Sequence, residues 1–296
     1  MKSNTVIRSM RIPFLALTPV CVFLGASVVI ANQAEINPIL LAMAFCGAML
    51  AHISVNTLNE YSDFKNGLDL ATIKTPFSGG SGALPEHPGM LKAVFSLAII
   101  SLFITIVIGC FFIWKYGMAI FPLGLTGLLL IVSYTGWINK HPFLCLIAPG
   151  IGFGFLMVVG TQFVLQGEYL LLSWLVALIP FFQVNNLLLL NQYPDIDADA
   201  DAGRYHLPIA HGINRSNMVY GCFTLATAAT IISLVLIEQL PLLSLIALLP
   251  IPLAFFSLYG AIKHGATIGS FPQYLAANVA VTMTTPLLLG TSILLS

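Results

Sequence analysis

Nine stretches of about twenty residues are apolar and are broken only by polar or Pro/Gly clusters. They fall near 12–31, 37–58, 93–114, 117–135, 143–165, 170–190, 217–237, 241–262 and 274–295. About 20 helical residues cross a bilayer core of roughly 30 Å. Backbone groups in hydrocarbon must also pair within their own segment. The pattern therefore predicts an all-α polytopic membrane protein with nine transmembrane helices, forming one domain over 1–296. Composition agrees, because charged residues are 7% of the chain against roughly 25% in soluble domains. That share cannot cover a water-facing surface, which excludes a soluble globular enzyme and a disordered chain. Eleven Lys+Arg balanced by eleven Asp+Glu also leave no basic face for nucleic acid. The apolar run behind Met1–Arg11 is long enough to span and stay, so no cleaved leader is expected. The five cysteines lie in apolar stretches without CxxC spacing and read as small buried apolar residues.

Nine spans put the N-terminus and the segments 59–92, 136–142, 191–216 and 263–273 on one side. That side carries ten of the eleven cations, and only Lys115 lies opposite. The positive-inside rule places the cation-rich side in the cytoplasm of a bacterial-type inner membrane. Eight of the eleven acidic residues share that side, and seven of them sit in two short segments directly after apolar spans. The positive-inside rule asks for no such clustering, so it points to a site.

The first segment runs from Asn59 to Asp69. On a continued helix Asn59 and Asp63 share a face, and Gly67 lets the chain turn so that Asp69 swings back. Glu60, next to Asn59, is expected to point elsewhere. The second runs from Asn191 to Arg204, with Pro194 able to start a helical turn. Asp195 and Asp199 then converge, while Asp197 and Asp201 form a separate, solvated pair. Mg²⁺ takes one or two carboxylates plus waters and phosphate oxygens. Two such clusters over one cavity would hold Mg²⁺ on both sides of a diphosphate. Lys65, Lys74 and Arg204 are the nearby cations for the remaining oxygens. Ser78-Gly79-Gly80-Ser81-Gly82 offers backbone N–H groups to an anion or is simply a flexible loop. A Ca²⁺ loop over 195–202 is disfavoured, because it lacks the EF-hand's central Gly and final Glu.

These motifs resemble those of the UbiA superfamily of intramembrane prenyltransferases. The segment from Asn59 to Asp69 is closest to the NDYxDxxKGxD form of the menaquinone branch, with Glu60 in place of the usual Asp. Asp195 to Asp199 followed by Gly203-Arg204 resembles the second motif, DxxxDxxxGK/R, and Asn191 fits the same branch. Arg11-Ile12-Pro13 resembles the family's opening helix, and Tyr134-Thr135 with Lys140 its fourth. The resemblance implies nine helices around a central cavity, with Asn59, Asp63, Asp69, Asn191, Asp195 and Asp199 around Mg²⁺. It implies Arg11, Lys65, Lys74, Lys140 and Arg204 as diphosphate contacts and Asp63, Asp195 and Tyr134 as catalytic. Tyr134 reads equally as an interfacial tyrosine. The implied reaction joins an isoprenyl group from its diphosphate to an aromatic acceptor such as 1,4-dihydroxy-2-naphthoate. Two rivals are a terpene cyclase on the same fold and an ion-coupled transporter, whose carboxylates would lie nearer the bilayer midplane.

Overall fold

The computed structural model describes residues 2–72 and 74–296. The side chain of Lys2, one of the cations tallied above, lies outside the described residues, as do Met1 and Ile73. The described residues form helices and turns and no strand. Among the described residues, eight stretches are long and apolar enough to cross a membrane. The third, Pro88–Ser133, has 46 residues and as one straight helix would extend about 69 Å, twice a bilayer core. It breaks at Gly117, where φ is 71°, into two helices. Among the described residues the bundle helices are thus α1 (Ile12–Ala31), α2 (Pro38–Lys65), α3 (Leu91–Tyr116), α4 (Phe121–Ser133), α5 (Pro142–Gln166), α6 (Leu171–Asn191), α7 (Leu207–Leu236), α8 (Leu242–Ser270) and α9 (Pro272–Leu294).

Two bounds differ from the expectation. Helix α2 runs on to Lys65, so the first acidic segment lies on its last turns. Helix α7 starts at Leu207, with a break at Gly212 (φ 78°). Sequence reading placed that start ten residues later because Asn214 and Arg215 interrupt the apolar run. Large apolar side chains such as Trp114, Leu171 and Leu236 stand more than two-thirds exposed on the outer surface, which suits hydrocarbon and not water. The cysteine expectation holds for Cys21 and Cys145, but Cys46, Cys110 and Cys222 are exposed.

Close packing on one side of the bundle leaves room on the other. Without a hydrophobic drive between helices in lipid, small residues permit the tightest approach. Gly150 and Gly154, one turn apart on α5, press against α6. A Cβ on Gly150 would stand 2.4 Å from the Phe181 carbonyl oxygen, and one on Gly154 2.6 Å from that of Ala177. Gly25 of α1 packs against Val158 of α5, and Gly290 of α9 against Phe23 and Ser27 of α1. Helix α5 carries Pro149 and continues as a π-helix over Ile151–Val159. Its Gly150 amide donates to Asn185 Oδ1 at 2.6 Å, because Pro and π geometry disturb the i→i−4 ladder there. The opposite half, bounded by α2, α3, α4 and α5, encloses a cavity of about 650 Å³.

Candidate active site

The polar end of that cavity is assembled from helix ends at one end of the bundle. Helix α2 delivers Asn59 and Asp63 one turn apart, and both line the cavity. After Asn66 the chain turns through Gly67 in the left-handed region, φ 83°, and a short helix, Leu68–Ala71, brings Asp69 back to the same wall. From the other half, α6 delivers Asn191. Tyr193–Asp195 then forms a single 3-10 turn with Pro194 near its start, and Ile196–Asp201 follows as a short helix. Asn191, Asp195 and Asp199 all line the cavity. Asp197 and Asp201 are exposed, as their helical phase predicts.

Arg204 joins the two segments. One guanidinium nitrogen pairs with Asp63, and the other holds Asp199 Oδ1 at 2.9 Å. His206 Nε2 meets the second oxygen of Asp199 at 3.0 Å. Burial comes first in raising the Asp69 carboxyl, helped by the nearby Glu60 and Asp63 charges, and it is pushed up to about 7. The pairing with Asp63 and Asp199 holds the Arg204 charge against its burial.

The donor set fits a hard cation. Asp69 Oδ2, Asn139 Oδ1, Asn191 Oδ1 and Asp195 Oδ1 are buried without a hydrogen-bond donor, and all four residues line this one cavity. Leaving such an oxygen unsatisfied costs about 1–3 kcal/mol, so four together mark a place where a ligand completes them. Among the described residues, no three carboxylate, imidazole or thiol groups close on one point. Mg²⁺, which keeps waters and binds phosphate oxygens, suits so open a set.

A loop lies across this polar end. The Gly79 amide donates to Asp195 Oδ2 at 3.0 Å. Gly80 leaves no room for a side chain, because a Cβ there would sit 2.7 Å from Asp69 Oδ1. Ser81 donates to Glu60 through its amide at 2.8 Å and its hydroxyl at 2.6 Å. Its carbonyl accepts from Lys74 and from Arg8, and Arg8 is paired with Glu86. The Ser/Gly run therefore spans both acidic segments.

Several expected residues land elsewhere. Lys65, two residues beyond Asp63 and so turned about 200° around the helix, is exposed over the Tyr61 ring. Lys74 is exposed and holds the Ser81 carbonyl, outside the cavity wall. Lys140 also points outward, and its neighbour Asn139 lines the cavity instead. Arg11 does line the cavity, but one edge of its guanidinium is taken by Glu60. Glu60 is fully buried and not turned to solvent. Tyr134 lines the cavity, and Thr135 donates to Asn59. Sequence reasoning missed Asn139 and Thr135 as parts of this wall and Glu60 as the buried partner of Arg11 and Ser81 behind it, and left His206 without a role. The available signal for Glu60 was its i,i+3 spacing to Asp63, which makes the two neighbours on a continued helix.

Comparison with known proteins gives the family and the fold. The model of the UbiA prenyltransferase family matches residues 18–271. The chain belongs to the UbiA prenyltransferase family. It is 31% identical over 175 residues to the 1,4-dihydroxy-2-naphthoate octaprenyltransferase of Bacillus subtilis (strain 168). That alignment takes in 58% of this chain and 54% of the relative, so the match spans about half of the curated protein. Among solved structures, a digeranylgeranylglyceryl phosphate synthase superposes with a TM-score of 0.67 at 14% identity, over 100% of this chain and 99% of that one. A UbiA homolog from Archaeoglobus fulgidus bound to GPP and Mg²⁺ gives 0.65 at 14% identity, over 99% of this chain and 100% of the other. A homolog from Aeropyrum pernix K1 gives 0.66 at 15% identity, over 96% and 98%. At these identities the likeness shows the UbiA fold.

Proposed function

We propose that this UbiA family member transfers an isoprenyl group from its diphosphate to an aromatic quinone precursor, with 1,4-dihydroxy-2-naphthoate as the leading acceptor. One observation carries the reading. Arg204 is bound at once to Asp63 of the first segment and Asp199 of the second, within the wall of a single cavity. The curated relative's activity supports the acceptor, and the GPP and Mg²⁺ bound by the Archaeoglobus homolog support the donor and metal.

Below its polar end the cavity wall along α2 is largely apolar, with His52 and Asn56 as its polar members. Its lining there steps through Met43, Gly47, Ala51 and Val55 to Asn59 and Asp63, a rise of about 30 Å. A channel of that depth suits a long lipid tail with its diphosphate at the aqueous end. The Lys/Arg asymmetry supports a cytoplasmic position for that end.

Mg²⁺, when bound by Asn59, Asp63, Asp69, Asn191, Asp195 and Asp199, would supply positive charge for the departing diphosphate. Arg204 and Arg11 add fixed cations at the same end, a preorganised arrangement worth more in a partly dry site than in water. The loop over the site limits water access. The allylic C–O bond breaks, diphosphate leaves, and the electron-rich acceptor carbon forms the new C–C bond. Rearomatisation then releases a proton, or carbon dioxide from a naphthoate. Tyr134 and Asn139 stand in the cavity wall as the polar groups for orienting the acceptor.

The test is turnover of a radiolabelled isoprenyl diphosphate by the purified protein, with and without the naphthoate. The expected result is diphosphate release that depends on the acceptor, together with a prenylated naphthoate in the mass spectrum. Release without any acceptor would instead assign cyclisation, and no release at all would overturn the enzyme reading.

A further inference from the structure

Glu60 is the most enclosed charge of the first segment, with no exposed surface. It lies on α2 one residue beyond Asn59 and three before Asp63, and unlike those two it does not line the cavity. Its Oε1 accepts from Arg11 Nε at 2.8 Å and lies 2.7 Å from Arg11 Nη2. The same oxygen takes the Ser81 amide at 2.8 Å, and Oε2 takes the Ser81 hydroxyl at 2.6 Å. A carboxylate removed from water is tolerated only when its charge and lone pairs are met, and here they are met by two segments far apart in sequence. Arg11 lines the cavity, and Ser81 directly follows the Ser78–Gly80 run that lines it. Arg11 sits at a chain break with φ 54°, a conformation costly for a residue with a Cβ, so something must hold it there. Glu60 occupies the Nε/Nη2 edge of the guanidinium. Nη1 makes no hydrogen bond among the described residues, while Arg11 lines the cavity. Ser81 follows Gly79 and Gly80, which lie on Asp195 and Asp69.

We propose that Glu60 is a positioning residue. Its carboxylate fixes Arg11 with one guanidinium nitrogen free for a diphosphate oxygen, and ties the Ser78–Gly82 loop across the same site. It touches neither metal nor substrate and acts through Arg11 and the loop. This rests on the diphosphate reading above, and it assigns to a residue outside the metal-facing stripe the presetting of two diphosphate contacts. A bound anion then meets an arginine already oriented, and less ordering remains at binding.

The experiment uses the full chain in nanodiscs with magnesium pyrophosphate as the probe. Pyrophosphate affinity is measured at saturating Mg²⁺, and loop order is followed by the rate of tryptic cleavage after the exposed Lys74. Glu60→Ala and Glu60→Gln are expected to weaken pyrophosphate about tenfold and to speed cleavage. Glu60→Asp, which restores the charge, is expected to recover affinity to within about threefold. Arg11→Ala should weaken binding similarly, and adding Glu60→Ala to it should cost less than about twofold more, the mark of residues acting as one unit. If Glu60→Ala fails to insert, Glu60→Gln keeps the volume and an acceptor oxygen and carries the same comparison. Affinity within twofold of the parent in Glu60→Gln, or full additivity with Arg11→Ala, overturns the proposal. Asp63→Ala and Asp195→Ala run in parallel. If they lose pyrophosphate while the Glu60 variants keep it, only this inference fails. If they also keep it, the diphosphate reading itself fails.

Discussion

Arg204 carries more of the site than its neighbours, because it neutralises a carboxylate from each acidic segment. Removing one partner of a buried ion pair leaves the others uncompensated. Arg204→Ala is therefore expected to lower the stability of the metal-free protein by about 3 kcal/mol, with part of the loss restored by Mg²⁺; unfolding with and without the metal reads both. Asp69 contributes to the pH dependence. Its carboxyl titrates near 7, lifted first by burial, while in the unfolded chain it titrates near 3.9. Between those values the folded state holds the extra proton, so metal-free stability falls as pH rises from about 4 to 7 and is flat beyond. Metal must displace that proton. Displacing the Asp69 proton should then contribute about tenfold per pH unit to Mg²⁺ affinity up to 7 and nothing beyond, and Asp69→Asn should lower the slope by that amount. A slope unchanged in Asp69→Asn would remove Asp69 from the metal set. At this scale the convergence of Asn59, Asp63, Asp69, Asn191, Asp195 and Asp199 on one cavity was legible from i,i+4 spacing and one glycine. Lys65, Lys74 and Lys140 were misplaced because proximity in sequence does not give the angle around a helix or the path of a loop.

Among the elements, α5 and α6 set the width of the cavity from behind. Gly150 and Gly154 let the two backbones close, while Gly152, between them, has nothing within 4 Å of its added Cβ and lines the cavity. Gly154→Leu is expected to force the helices apart and cost about 1–3 kcal/mol. Gly152→Ala should leave stability unchanged, and thermal unfolding in detergent separates the two. Equal melting temperatures for the two variants would contradict the packing described. The nine apolar stretches gave the helices directly, because hydrocarbon allows few alternatives. The π segment of α5 was not readable, since it depends on tertiary partners such as Asn185 and not on local pattern. The Ser/Gly loop could be read only as an anion cradle or a flexible link, and its tie to Glu60 required α1, α2 and the loop together.

For the whole molecule, the claim is that two acidic segments, more than a hundred residues apart, form one metal-diphosphate site at the end of a bilayer-deep apolar channel. The pseudo-equivalent placement of a carboxylate cluster after α2 and another after α6 was visible in the sequence, and their convergence required the fold. Mn²⁺ can stand in for Mg²⁺ and report its own binding. The decisive measurement is electron paramagnetic resonance titration of Mn²⁺ into the purified protein, with and without pyrophosphate, for the parent, Asp63→Ala and Asp195→Ala. A shared site requires pyrophosphate-dependent Mn²⁺ binding in the parent and its loss in each variant alone. Retention of that binding in either variant would show that the two segments do not serve one site.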